Sequence, residues 1–243
     1  MPRNIIKKKH SIERTSYLWR RILIENRLPA DGTVVEVAPG YEQKIGAALS
    51  LFGFRGTLYV IEPDRNAALH IHDVYRHILP KATIHIVCKP MEEVVPKDDI
   101  LSPIEALVAS HPFDDMVIAS IVKEKNFFSE EKDAGTRISS AMRRMYAAIR
   151  DEKYATGICA TAITWQRFIE EVRPRCVIAS QYPSRTLTLK GLKKRQNSGY
   201  AVMENLKNTY KNSLIEHDHK RSFGVKGDPR WWLVAEFQEH PYY

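Results

Sequence analysis

The sequence has little that would stabilise a protein in an oxidising compartment or inside a bilayer. It carries three cysteines among 243 residues. Cys88, Cys159 and Cys176 lie far apart in apolar stretches, so neither a disulfide framework nor metal-ligand spacing is indicated. No apolar run approaches the roughly 18–20 residues that a membrane-spanning helix needs, and no apolar signal-peptide core follows the basic N-terminus. These absences predict buried thiols, a cytoplasmic location and no membrane partner.

Positive charge is abundant, but it is concentrated in two segments. The formal net charge is +8; residues 1–30 contribute +6 and residues 184–230 contribute +7, whereas residues 31–183 are mildly acidic at −3. A basic excess confined to flanking segments is typical of proteins that contact a polyanion. We therefore expect nucleic acid or another polyanion as a partner, with a merely solubilising surface as the alternative.

Strands and helices are predicted to alternate along the chain. Short β-branched apolar runs bounded by turn residues predict strands, and apolar residues at helical spacing predict helices. The predicted strands are 33–38, 57–61, 82–88, 116–120, 156–163, 176–180 and 231–237. The predicted helices are 12–27, 42–53, 64–79, 100–110, 133–151 and 164–172. This alternation implies right-handed βαβ units and an α/β, doubly wound, mostly parallel sheet.

The loop after the first strand carries the clearest chemical signal. In an open parallel sheet, ligands bind beyond the carboxyl ends of the strands. Gly40 allows a close approach of the backbone to a ligand, and Glu36 can accept a hydrogen bond from a ligand ammonium group. Glu62, at the end of the second strand, offers two acceptor oxygens to the hydroxyls of a ribose. Two such carboxylates suit a ligand that combines a ribose with a positive charge.

In this region the chain resembles the class I S-adenosylmethionine (SAM) dependent methyltransferases. Their first motif is an acidic residue followed by three alternating glycines, and residues 34–43 of this chain are VVEVAPGYEQ. Glu36 matches the acidic position and Gly40 the middle glycine, whereas Ala38 and Glu42 replace the outer two. Glu62 matches the ribose-binding acid of the family. The resemblance covers residues 33–120 well and the rest in outline.

The resemblance implies a Rossmann-like fold, a cofactor and an activity. The sheet would have seven strands with an antiparallel last strand, SAM would be bound, and methyl transfer would leave S-adenosylhomocysteine (SAH). Met91 falls in the loop where the family contacts adenine, and Ala119 and Ser120 fall at the end of the predicted fourth strand. No catalytic residue is assigned. The implied cofactor-binding residues are Glu36, Ala38, Pro39, Gly40, Tyr41, Glu62, Pro63, Met91, Ala119 and Ser120.

The chain is predicted to comprise an N-terminal basic helical extension, 1–30, and a methyltransferase-like domain, 31–243. The domain contains a basic insertion, 184–228, before the last strand. This insertion starts at the same edge of the sheet as the cofactor loop, so its basic cluster would overhang the substrate entrance. Backbone phosphates suit such a cluster, and RNA is the leading substrate hypothesis. The candidate substrate-binding residues are Lys190, Lys193, Lys194 and Arg195.

Two other functions remain open at this point. The chain could be a small-molecule methyltransferase in which the basic insertion acts as a lid. It could instead be a catalytically inactive, methyltransferase-like binding subunit. No metal site is predicted: His70, His72 and His77 fit a solvated helix surface, and His217 and His219 fit a solvated loop.

Overall fold

The computed structural model describes residues 3–100, 103–122 and 145–237, and for residues 3–13 it describes the backbone alone. The strands are β1 (Thr33–Val37), β2 (Thr57–Ile61), β3 (Thr83–Val87), β4 (Ala106–Ser110), β5 (Cys176–Ser180) and β6 (Trp232–Glu236). The helices are α1 (Arg3–Glu25), α2 (Lys44–Phe52), α3 (Arg65–Ile78), α4 (Pro96–Asp99), α5 (Phe113–Val122), α6 (Asp151–Val172), α7 (Arg185–Leu189), α8 (Lys193–Thr209) and α9 (Lys220–Phe223).

One sheet organises these elements, in the strand order β3-β2-β1-β4-β5-β6. Strands β1 to β5 are parallel, and β6 pairs antiparallel with β5. The predicted α/β, doubly wound, mostly parallel sheet with an antiparallel last strand is therefore confirmed. The described part of the chain has six strands in this sheet, not the seven expected.

Alternate residues along each strand face opposite helical layers, as the two-residue period of a strand requires. Val34 and Leu58 pack in the layer that contains α1, α2 and α3, whereas Val35 and Tyr59 pack in the layer that contains α5, α6 and α8. Both faces are thus covered, which explains why the strands are almost continuously apolar. In the described residues, no helix combines the length and apolarity that crossing a bilayer requires.

Two strand predictions and one helix prediction are wrong. Residues 116–120 lie inside α5, residues 156–163 lie inside α6, and β4 occupies part of the predicted helix 100–110. The ALVAS of β4 and the MVIAS of α5 are almost equivalent apolar runs, so periodicity alone cannot distinguish them. The acidic first turn of α5, with Asp114 and Asp115, favours a helix N-terminus. Most of the predicted helix 133–151 lies outside the described residues.

The prediction of three buried thiols holds for one cysteine. Cys176 lies in β5 and is buried, whereas Cys88 and Cys159 are exposed. Cys88 follows β3 directly, and Cys159 lies on α6. The prediction fails because an apolar sequence neighbourhood does not fix which side of an edge strand or helix a residue occupies.

A buried ionic network anchors α8 to the rest of the domain. Arg195 is only 5% exposed and donates from Nε to Asp114 Oδ2 at 3.1 Å. It also pairs with Asp115 and donates to the Tyr146 hydroxyl at 2.6 Å. The Gln181 amide donates to the other Asp114 oxygen at 2.7 Å. Burial, and then the neighbouring Asp115 carboxylate, raise the pKa of Asp114 to about 6.

We expect Arg195→Met to lower the free energy of unfolding by about 3–5 kcal/mol, because it leaves the buried Asp114 without its cation. Lys194→Met is the matched control on the same helix, since Lys194 pairs with Asp151 at the surface. That change should cost less than about 1 kcal/mol. Urea unfolding at neutral pH measures both, and equal effects would contradict the structural role of Arg195.

Candidate cofactor and substrate crevice

The carboxyl ends of β1 and β4 mark the point where the strand order reverses, since β2 and β3 lie on one side and β5 on the other. Ligands of open α/β sheets bind at such a point. The loop of residues 38–41 follows β1, and Ser110 and His111 lie at the end of β4. The cofactor loop predicted from sequence therefore lies at this crevice.

The β1 loop contains two residues with left-handed backbone conformation. Ala38 has φ +51° and Gly40 has φ +58°. Glycine adopts this conformation without strain, whereas in alanine the Cβ atom makes it sterically unfavourable. The Ala38 amide still donates to the Ile61 carbonyl at 2.8 Å, which continues the β1–β2 ladder. The loop thus turns sharply at the strand end, while Pro39 beside it is buried.

Glu62 connects this loop to the end of β2. Its Oε2 accepts from the Gly40 amide at 2.7 Å, and its Oε1 accepts from the Asp64 amide at 3.0 Å. The side chain of Asp64 then caps α3 by accepting from the amides of Asn66 and Ala67. Pro63 is exposed between the two acids. The structure therefore brings Glu62, Gly40 and Pro63 together at the crevice.

Glu36 occupies a different position from the one predicted for a ligand contact. It is 1% exposed and has the same strand parity as Val34, so it faces the layer of α2 and α3. The Tyr75 hydroxyl donates to Glu36 Oε2 at 2.9 Å and accepts from the Gly46 amide at 3.3 Å. The Glu36 carboxyl group is therefore enclosed by protein and bonds to Tyr75 of α3.

Burial raises the pKa of Glu36 to about 8, with the Tyr75 hydrogen bond opposing this shift and the nearby Glu62 charge adding to it. Glu36 is consequently protonated in the folded protein at neutral pH. Of the two acids predicted to meet the ligand, Glu36 bonds to Tyr75 in the helical layer, whereas Glu62 bonds to the loop after β1.

Tyr41 and Glu42 follow the sharp turn and are held by neighbours. The Tyr41 ring packs at 5.4 Å from the His70 ring of α3. Glu42 pairs with Lys44 at the start of α2. The charge that replaces the third glycine of the motif is therefore compensated by the chain itself.

The loop after β3 is only partly suited to contact a ligand. Met91 is 3% exposed and belongs to the hydrophobic core, so its side chain supports the loop from inside. Lys89 donates to both carboxylate oxygens of Asp99 at 2.7 and 2.9 Å. Lys89 and Asp99 border a cavity of about 350 Å³ beside β3, together with Tyr59 and His85. The cavity also borders Cys88 and lies at the edge strand of the sheet.

Ala119 and Ser120 do not lie at a strand end. Both belong to α5, where the Ser120 hydroxyl donates to the Val117 carbonyl at 2.8 Å and faces Gly157 of α6. Their assignment to the crevice is wrong because it depended on a strand at residues 116–120. Ser110 and His111 occupy the position that they were expected to fill.

His111 is the residue of the crevice that the sequence pattern did not indicate. It has φ +63°, and its ring lies edge-on to Tyr182 with centroids 3.9 Å apart. Lys226 Nζ lies 4.9 Å and Lys44 Nζ 5.8 Å from the centroid of that Tyr182 ring. Burial first, and then both lysines, hold the pKa of His111 well below its usual range. Its Nε2 is buried and has no hydrogen-bond partner among the described residues. The sequence offered one signal for His111, which is its position directly before Pro112.

The four residues of the basic cluster in the insertion differ in their exposure to solvent. Lys193 and Lys194 are exposed in the first turn of α8, and Lys190 is half-buried at the end of α7. Arg195 is buried in its network with Asp114, so its assignment as a surface ligand for substrate phosphates is wrong. The first turn of α8 nevertheless lies near the crevice, because Asp114 belongs to the first turn after β4.

No protein-family model matches the sequence, and no curated protein matches it. Solved structures are similar at low identity. A candidate rRNA methylase from Clostridium thermocellum is 14% identical with a TM-score of 0.44, over 84% of this chain and 88% of that protein. A SAM-dependent methyltransferase from Clostridium acetobutylicum is 8% identical with a TM-score of 0.39, over 69% and 49%. The glycopeptide N-methyltransferase MtfA with sinefungin is 12% identical with a TM-score of 0.35, over 70% and 51%.

The chain therefore spans about half the length of the last two proteins. All three similarities concern the fold, and no functional assignment below depends on them.

We expect Glu36→Gln to reduce the loss of stability on raising the pH. Between the ordinary pKa of 4.5 and the folded value of about 8, the unfolded chain releases the Glu36 proton while the folded chain retains it. The folded state is therefore disfavoured as the pH rises through this window. Glutamine stays neutral, so the variant should gain roughly 2–5 kcal/mol relative to wild type from about pH 5 to about pH 8.

Urea unfolding across that range measures the difference. Glu152→Gln, at a position whose side chain is 81% exposed, is the matched control and should follow wild type. A constant difference between Glu36→Gln and wild type would contradict a protonated Glu36.

Proposed function

We propose that this protein is a SAM-dependent methyltransferase. The observation that supports this most directly is the Glu62 carboxylate at the end of β2, bonded to the Gly40 amide of the positive-φ loop after β1. The pair lies beside the point where the strand order reverses, since Gly40 follows β1 and Glu62 follows the neighbouring β2. An acid at that position suits the two hydroxyls of a ribose, and the adjoining loop gives a ligand access to backbone groups.

The residues at the crevice fit this cofactor. Residues 38–41 would surround its amino-acid portion and Glu62 its ribose, while the loop after β3 would border its adenine. Each oxygen of the Glu62 carboxylate accepts from one backbone amide, Oε2 from Gly40 and Oε1 from Asp64, which holds the acid at the end of β2. Compensation of Glu42 by Lys44 keeps the loop free of a net negative charge. Glu36 would act as a positioning residue through α2 and α3.

Bound SAM supplies a methyl group that is already activated on a sulfonium, so the chain's contribution is chiefly alignment of the acceptor. His111 and Tyr182 would form the wall opposite the cofactor loop, because they follow β4 and β5. The depressed pKa of His111 leaves its imidazole neutral at physiological pH. A neutral ring whose buried Nε2 has no hydrogen-bond partner among the described residues could hold an acceptor by a hydrogen bond.

We expect the wild-type protein to bind SAH, and Glu62→Gln to weaken that binding about 10- to 100-fold. The reason is the loss of charge-assisted hydrogen bonds to the ribose. Glu93→Gln, at an exposed site in the turn after β3, is the matched control and should bind as wild type does. Isothermal titration calorimetry measures all three, with thermal unfolding to verify that Glu62→Gln is folded.

Unchanged affinity in folded Glu62→Gln would refute the ribose contact. No heat of binding from SAM or SAH at millimolar concentration would refute the cofactor, and would leave the binding-subunit alternative. If SAM binds, turnover with candidate acceptors separates the enzyme from an inactive subunit.

For the acceptor we propose an anionic substrate, with RNA first and an anionic small molecule as the alternative. The support is the exposed pair Lys193 and Lys194, together with Lys190, near the crevice. These lysines would contact phosphates, which fixes orientation without specifying sequence. A small-molecule substrate would instead be enclosed by this segment.

Replacing both Lys193 and Lys194 by Gln should weaken RNA binding and reduce its salt dependence. Each lost phosphate contact lowers the slope of log K against log salt by about 0.7–0.9, so we expect a decrease of about 1–2. Filter binding at several salt concentrations measures it. Lys211→Gln, beyond the far end of α8, is the control, and an equal change there would argue against a localised site.

A further inference from the structure

A group of metal-ligating side chains lies apart from the crevice, at the C-terminal end of α1. It consists of Glu25 from α1 and of His217 and His219 from the segment before α9. Thr15, which contacts Lys226 near the crevice, precedes Glu25 by ten residues. At 1.5 Å per residue, this places the group about 15 Å further along the helix.

The segment that carries both histidines is held against the sheet. Leu214 forms an antiparallel bridge with Ala235, and the Ile215 amide donates to the Val234 carbonyl at 2.9 Å. The chain then turns toward α1, which brings the imidazoles to Glu25. Sequence spacing shows only the histidine pair, because its carboxylate partner lies almost 200 residues away.

The three potential ligand atoms converge. Glu25 Oε2 lies 3.0 Å from His217 Nδ1 and 2.8 Å from His219 Nε2, and all three atoms lie within 4.8 Å of one another. Tetrahedral zinc with bonds of about 2.0–2.2 Å holds its ligands roughly 3.4 Å apart. The two separations from Glu25 therefore reach this value after a movement of about half an ångström, and the two imidazole nitrogens, within 4.8 Å of each other, must adjust to it as well.

The histidines are not solvated, and the sequence prediction for them is wrong. The His217 side chain is 12% exposed and the His219 side chain 6%, whereas the Glu25 side chain is 30% exposed. The partial exposure of Glu25 gives an ion a way in and a place for a water ligand. Two imidazoles and one carboxylate with an open fourth position form a donor set that zinc commonly uses.

Neighbouring groups hold the donors in place. Arg21 Nε donates to Glu25 Oε1 at 3.0 Å, which directs Oε2 to the histidines. Asn26 Nδ2 lies 3.1 Å from His217 Nε2, the ring nitrogen remote from Glu25. The His219 amide donates to the Gly227 carbonyl at 2.8 Å. A Cβ on Gly227 would lie 2.4 Å from the His219 carbonyl oxygen, so only glycine permits this approach.

We propose that Glu25, His217 and His219 bind one divalent transition-metal ion, Zn²⁺ foremost. The ion takes the place of the hydrogen bonds to Glu25, and each neutral imidazole then carries its proton on the ring nitrogen that does not bind the ion. Its effect is structural: it fastens the C-terminal end of α1 to the segment that leads into β6. The site is independent of the SAM crevice and of the proposed activity.

The experiment uses the full chain after chelator treatment and dialysis. Titration with ZnCl₂ in a calorimeter should give one site per chain with micromolar or tighter Kd, and saturating Zn²⁺ should raise the Tm by several degrees. Co²⁺ in place of Zn²⁺ should give visible d–d absorption typical of four-coordinate N/O ligation. No saturable binding up to about 0.1 mM Zn²⁺, with no Tm change, would overturn the proposal.

Variants assign the ligands. His217→Ala and Glu25→Gln should each weaken Zn²⁺ binding at least tenfold, and His219→Gln, which keeps a donor for Glu25, should do the same. The matched control replaces His72 and His77 of α3 by Ala and should bind as wild type. Loss of binding in the control, or wild-type affinity in Glu25→Gln, would contradict this site. The Co²⁺ spectrum of the wild type tests the site even if a ligand variant does not fold. Binding of SAH, measured without metal, is unaffected by either result.

Discussion

The geometry of the crevice depends on one carboxylate that holds two backbone amides. Glu62 accepts from Gly40 after β1 and from Asp64 after β2, so it fixes the ends of two adjacent strands relative to each other. Because Asp64 also caps α3, the same contact sets where that helix starts. A buried charge is costly without such partners, and the two amides explain why the acid is tolerated at 5% exposure.

Glu36 performs the complementary task in the layer below. It lies close enough to Glu62 for the two charges to oppose each other, and burial favours the neutral form of Glu36. One acid is thus neutral and structural, tied through Tyr75 to Gly46 of α2. The other is held at the carboxyl edge by two backbone donors. The motif's two acids therefore differ in role because their strands present them to different surroundings.

The first three strands and the helices between them could be predicted, because turn residues separate them. The predicted end of β2 also agrees with the structure, where Glu62 follows this strand. The failure at β4 has a physical cause: ALVAS and MVIAS are both short apolar runs, and tertiary burial decides between them. His111 was missed as a consequence, since the strand end was placed ten residues too late. The burial of Arg195 could not be predicted, because its partners Asp114 and Tyr146 meet it only in the folded chain.

The positively charged residues of the chain have different roles in the folded protein. Arg195 neutralises buried acids, and Lys44 and Lys226 lie against the Tyr182 ring, so these cations belong to the interior of the crevice wall. Lys193 and Lys194 remain at the surface. The segment before β6 contacts α1 through Lys226 to Thr15, through the Ser222 carbonyl to Arg14 and through the histidines to Glu25. The positive charge of the chain therefore includes exposed lysines as well as cations that help pack the segment before β6 against α1.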